Sequence, residues 1–195
     1  MRTLLVCAAL LAMEGGIAFA QDRPPIEVGL GISSFGAGSS YEDVSPPRGQ
    51  AAPDVRVTFP LSPRFSVEEM VTFVRGERYQ SPAYQTRREG LLFATQVNQR
   101  IEKWTRGGFH PFLLYGAAVY SEKERVDFAA PARSSAGVVT SVTYDRQGMY
   151  GVFGVGVQQQ IGRHVAVRAE TTVLAFLAGN IRASVGVSIP LGSYK

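Results

Sequence analysis

Residues 151–174 read GVFGVGVQQQIGRHVAVRAETTVL. Phe153, Val155 and Val157 alternate with Gly154, Gly156, Gln158 and Gln160. Beyond Gly162, the residues Val165, Val167, Ala169 and Val173 alternate with Arg168, Glu170 and Thr172. Period two on both sides of a short break predicts two β-strands and a turn, each strand having one apolar face. The opposite face places Arg and Glu in mid-strand among small residues. That composition suits a narrow, polar interior filled by side chains.

The same period runs along the rest of the chain. Ile26, Val28, Leu30 and Ile32 alternate with Glu27, Gly29, Gly31 and Ser33, and Val55, Val57 and Phe59 with Asp54, Arg56 and Thr58. Phe65, Val67, Val71 and Phe73 face away from Ser66, Glu68, Met70 and Thr72, and Leu91, Phe93 and Val97 from Ala94, Gln96 and Asn98. Phe109–Tyr120 is apolar on both faces, so its orientation stays open. The last segment alternates Ala183, Val185, Val187 and Ile189 with Arg182, Ser184, Gly186 and Ser188. Eight such segments, with no comparable 3.6-residue pattern after residue 20, predict an all-β chain.

Connection lengths narrow the architecture. Polar links at roughly residues 34–52, 76–87 and 122–140 alternate with short ones at 60–64, 102–108 and 162–164, and a tight hairpin follows at 176–180. Barrels that cross membranes show this asymmetry of long outer loops and short periplasmic turns. Strands of about 9–11 residues tilted near 45° also match a bilayer core. The expectation is an eight-stranded antiparallel up-and-down transmembrane β-barrel with a polar, side-chain-filled lumen. A soluble exported barrel holding an apolar ligand inside has the same alternation with opposite sidedness.

Residues 1–20 read as an address. MRTLLVCAALLAMEGGIAFA carries Arg2, an apolar run from Leu4 to Met13 and an A-x-A site at Ala18–Ala20, the features of a cleaved secretory signal. The barrel domain then spans 21–195, and the single cysteine, Cys7, leaves with the signal. Of the 195 residues 45% are hydrophobic and 18% charged, enough for one folded domain. The net charge of +4 comes from scattered Lys and Arg, so no basic stripe marks a nucleic-acid surface.

Gly154 and Gly156 followed by Arg168 and Glu170 resemble the penultimate hairpin of the small OmpA-like and opacity-type outer-membrane barrels. PFLLYGAAVY, residues 111–120, resembles their fifth strand. The resemblance implies residence in the bacterial outer membrane, contact with its lipids including lipopolysaccharide, and insertion by the barrel-assembly machinery. It also implies a C-terminal assembly signal, matched by Ser184, Gly186, Ile189 and Leu191, although the chain ends in Lys195 and not in an aromatic residue.

Sites for chemistry are scarce. Gly151, Gly154 and Gly156 lie inside a strand with no helix after them, so they are not a dinucleotide loop. His110 and His164 lie far apart in sequence, each at a strand start, and neither has a second His nearby, so no metal-ligand set is predicted. Barrel enzymes that modify lipid A are the precedent for catalysis. The His-x-Ser pair of the deacylase is absent, since Val165 and Ala166 follow His164. The expectation is a non-enzymatic, non-conducting barrel without cofactor, structural or surface-interacting, with a lipid-modifying enzyme as the third reading. Trp104, Tyr115, Tyr120 and Tyr150 are expected in the interfacial girdles. Arg75, Arg78, Arg87 and Arg88 sit in links that a surface ligand could use, and external protease is expected to cut near Arg87–Arg88 or Lys123–Arg125.

The lumen is expected to hold Arg56, Glu68, Gln158, Arg168 and Glu170. A turn centred on Ser62 would set Phe59 opposite Phe65, and hence Arg56 directly across from Glu68. Around Gly162 the same rule sets Gln158 opposite Arg168, with Glu170 two residues along the same face.

Overall fold

Every alternating segment becomes a strand of one closed sheet. The computed structural model describes residues 25–35, 51–75, 79–80, 82–101, 108–134, 137–161, 165–175 and 180–191. The signal at residues 1–20, Cys7, Arg78, Trp104, His164 and Lys195 lie outside the described residues. Eight long strands are β1 (Ile26–Phe35), β2 (Ala51–Pro60), β3 (Phe65–Arg75), β4 (Tyr84–Arg100), β5 (Phe109–Ser134), β6 (Gly137–Ile161), β7 (Val165–Ala175) and β8 (Asn180–Leu191). Each pairs antiparallel with its neighbours in the chain, and β8 pairs with β1 from Ile26↔Leu191 to Phe35↔Arg182 to close the ring. A two-residue strand, Tyr79–Gln80, hangs on β4.

The ring is polar inside and apolar outside. Leu30, Ile32, Val155 and Val185 are 57–64% exposed on the outer wall, while Asp54, Arg56, Glu68, Glu170 and Arg182 are at most 5% exposed in the lumen. This sidedness excludes the soluble barrel with an apolar interior. The open orientation of residues 109–120 is also settled. Phe112, Leu114, Ala118 and Tyr120 point inward, and Leu113 and Tyr115 outward. Of these, Ala118 and Tyr120 join Phe35, Met70, Val74, Leu92 and Leu174 in an apolar plug across the lumen.

Three expectations are corrected. Tyr120 and Tyr150 are lumen residues and not girdle residues, 0% and 4% exposed; β5 and β6 turn their even-numbered positions inward there. Gly90 makes the room, since a Cβ on it would lie 2.6 Å from the Tyr120 hydroxyl. Secondly, most of the links at 76–87 and 122–140 is strand. β5 runs on to Ser134 and β6 begins at Gly137, and β4 pairs with β5 up to Tyr84↔Phe128. From Arg125 outward the described side chains of this hairpin are exposed or half-buried on both faces, so its apolar alternation lapses. Ion pairs such as Arg88–Glu124 at 3.1 Å and Arg146–Glu124 at 3.1 Å line it instead.

The third correction is register. β2 and β3 pair as Phe59↔Val67, Thr58↔Glu68 and Arg56↔Met70, so Arg56 is not directly opposite Glu68. The turn is centred one residue later than Ser62. The Ser62 hydroxyl accepts from the Arg64 and Phe65 amides, and Phe65 carbonyl accepts from the Leu61 and Ser62 amides. Pro60 has no amide to donate, and Pro63 fixes φ within the turn. Moving the centre by one residue moves each partner by two. Faces are therefore preserved, and only the partners change.

Candidate functional site

The ion-paired layer of the lumen comes from four strands. Asp54 and Arg56 lie on β2, Glu68 on β3, Arg168 and Glu170 on β7, and Arg182 with Ser184 on β8. Glu170 is the hub. One of its oxygens accepts from Arg168 Nε at 2.8 Å and meets Arg168 Nη2 at 2.7 Å and Arg56 Nη1 at 3.2 Å; the other binds Arg182 Nη2. Arg56 Nη2 donates to Asp54 at 2.7 Å and to Ser184 Oγ at 2.8 Å. Asp54 also accepts from Ser33 at 2.7 Å.

Glu68 anchors the other side. It accepts from Arg168 Nη1, from Gln96 at 2.6 Å, from Thr58 at 2.9 Å and from Asn98 at 3.2 Å. Arg56 and Glu68 do meet, diagonally, at 3.8 Å. Gln158 faces Arg168 across the β6–β7 pair, as the hairpin arithmetic requires, but its amide donates to Glu27 at 3.0 Å, beside Ser188 at 3.1 Å. It belongs to the layer below the ion pairs.

Asp54, Arg182 and Ser184 complete the network; Asp54 and Arg182 were not singled out from sequence, and Ser184 was expected only as part of the assembly signal. The signal was there in parity, because all three share the polar face with the residues that were chosen. What one sequence lacks is the height of one hairpin relative to the next. Arg182 reaches Glu170 only because Thr172↔Arg182 and Glu170↔Ser184 fix β8 against β7.

Three guanidiniums face three carboxylates, so the layer is neutral. Pairing is essential, since burying each ion alone would cost several kcal/mol. Arg168 also lies over the Phe112 ring, 4.3 Å from its centroid, a contact that strengthens when desolvated. Gly156 permits it: a Cβ there would sit 2.4 Å from Phe112 Cζ. Gly156→Ala is expected to lower stability by about 1–3 kcal/mol through overpacking, read as a lower urea midpoint in detergent. Adding Phe112→Leu should recover part of the loss, and no recovery would mean that the ring is not what the methyl displaces.

Chemically, this arrangement cross-braces the ring and fills it. Its acids and bases neutralise one another, and no cluster of three or more metal-ligating side chains occurs among the described residues. The recess at the short-turn end, lined by Glu27, Thr58, Asn98, Gln158 and Arg168 among others, holds about 30 Å³. That is room for a single water.

No protein-family model and no curated protein matches the chain. Solved structures do. The attachment invasion locus protein Ail of Yersinia pestis matches with TM-score 0.53 at 13% identity, over 88% of this chain and 100% of Ail. The N-terminal β-barrel domain of Pseudomonas aeruginosa OprF matches with TM-score 0.57 at 12% identity, over 88% of this chain and 100% of that one. Neisserial surface protein A matches with TM-score 0.54 at 11% identity, over 85% and 96%. At these identities the likeness shows the fold alone: the chain is an eight-stranded antiparallel β-barrel.

Proposed function

We propose that the chain is an integral outer-membrane barrel with a structural or surface-interaction role, neither conducting nor catalytic. The observation that carries this reading is the inverted distribution of polarity. An apolar outer wall is unfavourable in water, at about 25 cal/mol per Å², and favourable against acyl chains. The ion-paired layer and the apolar plug fill the lumen with side chains at two levels, which supports a closed barrel. The signal at residues 1–20 would export it, and the outer wall would lie against outer-membrane lipids, lipopolysaccharide included. On β8, Ser184 and Gly186 face inward and Ile189 and Leu191 outward, a pattern that the barrel-assembly machinery would read.

Three measurements test this reading. The folded protein is expected to sediment with outer membranes, to migrate differently in SDS gels before and after boiling, and to give no discrete current steps in a planar bilayer. Recovery in the soluble periplasmic fraction would sink the membrane reading, and stable conductance steps would sink the closed lumen.

Topology is tested by trypsin on intact cells. Arg87, Arg88, Lys123 and Arg125 lie in paired strands, where a protease cannot take up the chain. Among the described residues the expected first cut is at Arg133, which only three pairs hold beyond the register shift of the β5–β6 hairpin. Cutting at Arg64, in the short β2–β3 turn, would show the opposite orientation.

A further inference from the structure

The outer wall carries one side chain that does not suit it. On β3 Glu68 faces the lumen, so Glu69 faces outward, in one cross-strand row with Val57, Thr95 and Ala117. Val67 and Val97 lie in the outward row on one side of it, and Val71 and Phe93 in the row on the other. Charged side chains return on this face only at the outer rim, where Arg75, Glu89 and Lys123 stand in register. Between that rim and the short turns, Glu69 is the one charged residue on the wall among the described residues.

Its depth makes this costly. At roughly 3.4 Å per residue and a tilt of about 40°, Phe65 to Arg75 spans about 26 Å of depth, close to the apolar band of about 25 Å in barrels of this kind. Glu69 lies about 10 Å inside the lower edge of that band. An ionisable group so deep in hydrocarbon is expensive, and it marks a site unless its own chain satisfies it. Here the chain does so only in part. Thr95 Oγ1 donates to Glu69 Oε2 at 2.8 Å, and no cation lies in salt-bridge range among the described residues.

We propose that Glu69 is the centre of a self-association surface, on which two copies of this chain pair across β3 and β4 with each Glu69 carboxyl bonded to the other. The depth argument rests on the outer-membrane reading above. Two copies inserted alike and related by a two-fold along the membrane normal bring Glu69 to its own counterpart at equal depth. A carboxyl in hydrocarbon keeps its proton, and in that form it both donates and accepts, so two of them are mutually complementary. A cationic partner would instead have to carry its own charge into the band, at about 2–4 kcal/mol for Arg or Lys. The surroundings allow close approach, because Val57, Val67, Val71, Thr95 and Ala117 are all short. Sheets pack face to face about 10 Å apart, a separation that opposed glutamates can bridge, and side-chain packing tolerates strands that cross near right angles.

The test is sedimentation equilibrium of the full folded barrel in a density-matched detergent, over a range of protein-to-detergent ratios. The native chain should show a reversible monomer–dimer equilibrium. Glu69→Gln should keep it, since an amide also donates and accepts. Glu69→Val should raise the dimer dissociation constant about tenfold or more. The gel shift on boiling and the urea midpoint of the Glu69→Val monomer should be retained or improved, because valine suits lipid.

Three results would overturn the proposal. They are a native chain that stays monomeric at every ratio, a Glu69→Val chain that associates as strongly as the native one, and a Glu69→Gln chain that dissociates as readily as Glu69→Val. If the Glu69–Thr95 bond served only to hold β3 against β4, Glu69→Val would lower the urea midpoint and leave association unchanged, which also overturns it. Membrane fractionation and the gel shift are separate readouts, so failure of the pairing is distinguishable from failure of the outer-membrane reading.

Discussion

Glu170→Ala is expected to be the most damaging single change in the lumen. The carboxylate neutralises three guanidiniums, from Arg56, Arg168 and Arg182. Without it, Arg56 keeps Asp54 and Arg168 keeps Glu68, but Arg182 has no other carboxylate in salt-bridge range among the described residues. Its remaining named contact is the thioether of Met70, 2.6 Å from Nη1. Stranding a buried charge costs about 3–5 kcal/mol, a large part of a typical total of about 5–15 kcal/mol. The urea midpoint of the detergent-folded barrel should fall by on the order of 2 M, for a slope near 2 kcal/mol per M. The double change Glu170→Ala with Arg182→Met should recover much of this, since the stranded cation is gone and an apolar side chain extends the plug beside Met70. Strictly additive losses would mean that Arg182 does not depend on Glu170.

How much of this was legible in sequence follows from what period two encodes. Alternation fixes the face of a residue, and so Arg56, Glu68, Arg168 and Glu170 are all found in the lumen. Alternation cannot tell inside from outside, because lipid and protein core both accept Val155 or Leu30; mid-strand Arg and Glu beside glycines carried that decision. It also cannot identify Tyr120 as a lumen residue while both faces of 109–120 are apolar, where parity has nothing to contrast with; Tyr150, by contrast, shares its parity with Gly154, Gly156 and Gln158, so its place was legible. The raised β5–β6 hairpin was hidden for a related reason. Its charges at Glu122, Lys123, Glu124 and Arg125 resemble a solvated loop, yet Val138–Tyr144 is rich in strand formers. Register depends on turn chemistry, and there the side-chain acceptor of Ser62 decided what the flanking phenylalanines alone could not.

The register change alters which partner of Glu68 matters. With Arg56 directly opposite, the Glu68–Arg56 pair would dominate a double-mutant cycle. In the observed register Arg56 approaches only to 3.8 Å, outside a hydrogen bond, and already has Asp54 at 2.7 Å and Glu170 at 3.2 Å. Arg168 instead donates directly to Glu68, within a carboxylate site that Thr58, Gln96 and Asn98 also satisfy. Coupling between contacting buried residues runs from about 0.5 to 3 kcal/mol. Glu68 with Arg168 should fall near the top of that range, and Glu68 with Arg56 near the bottom. The single change Glu68→Ala is expected to cost about 3 kcal/mol or more, because one buried guanidinium loses its hydrogen-bonded carboxylate and three neutral donors lose their acceptor. Both cycles can be run on the detergent-folded barrel with alanine substitutions and urea melts. The opposite ordering, with Arg56 the stronger partner, would restore the register that sets Phe59 against Phe65, and the β2–β3 turn described above would be wrong.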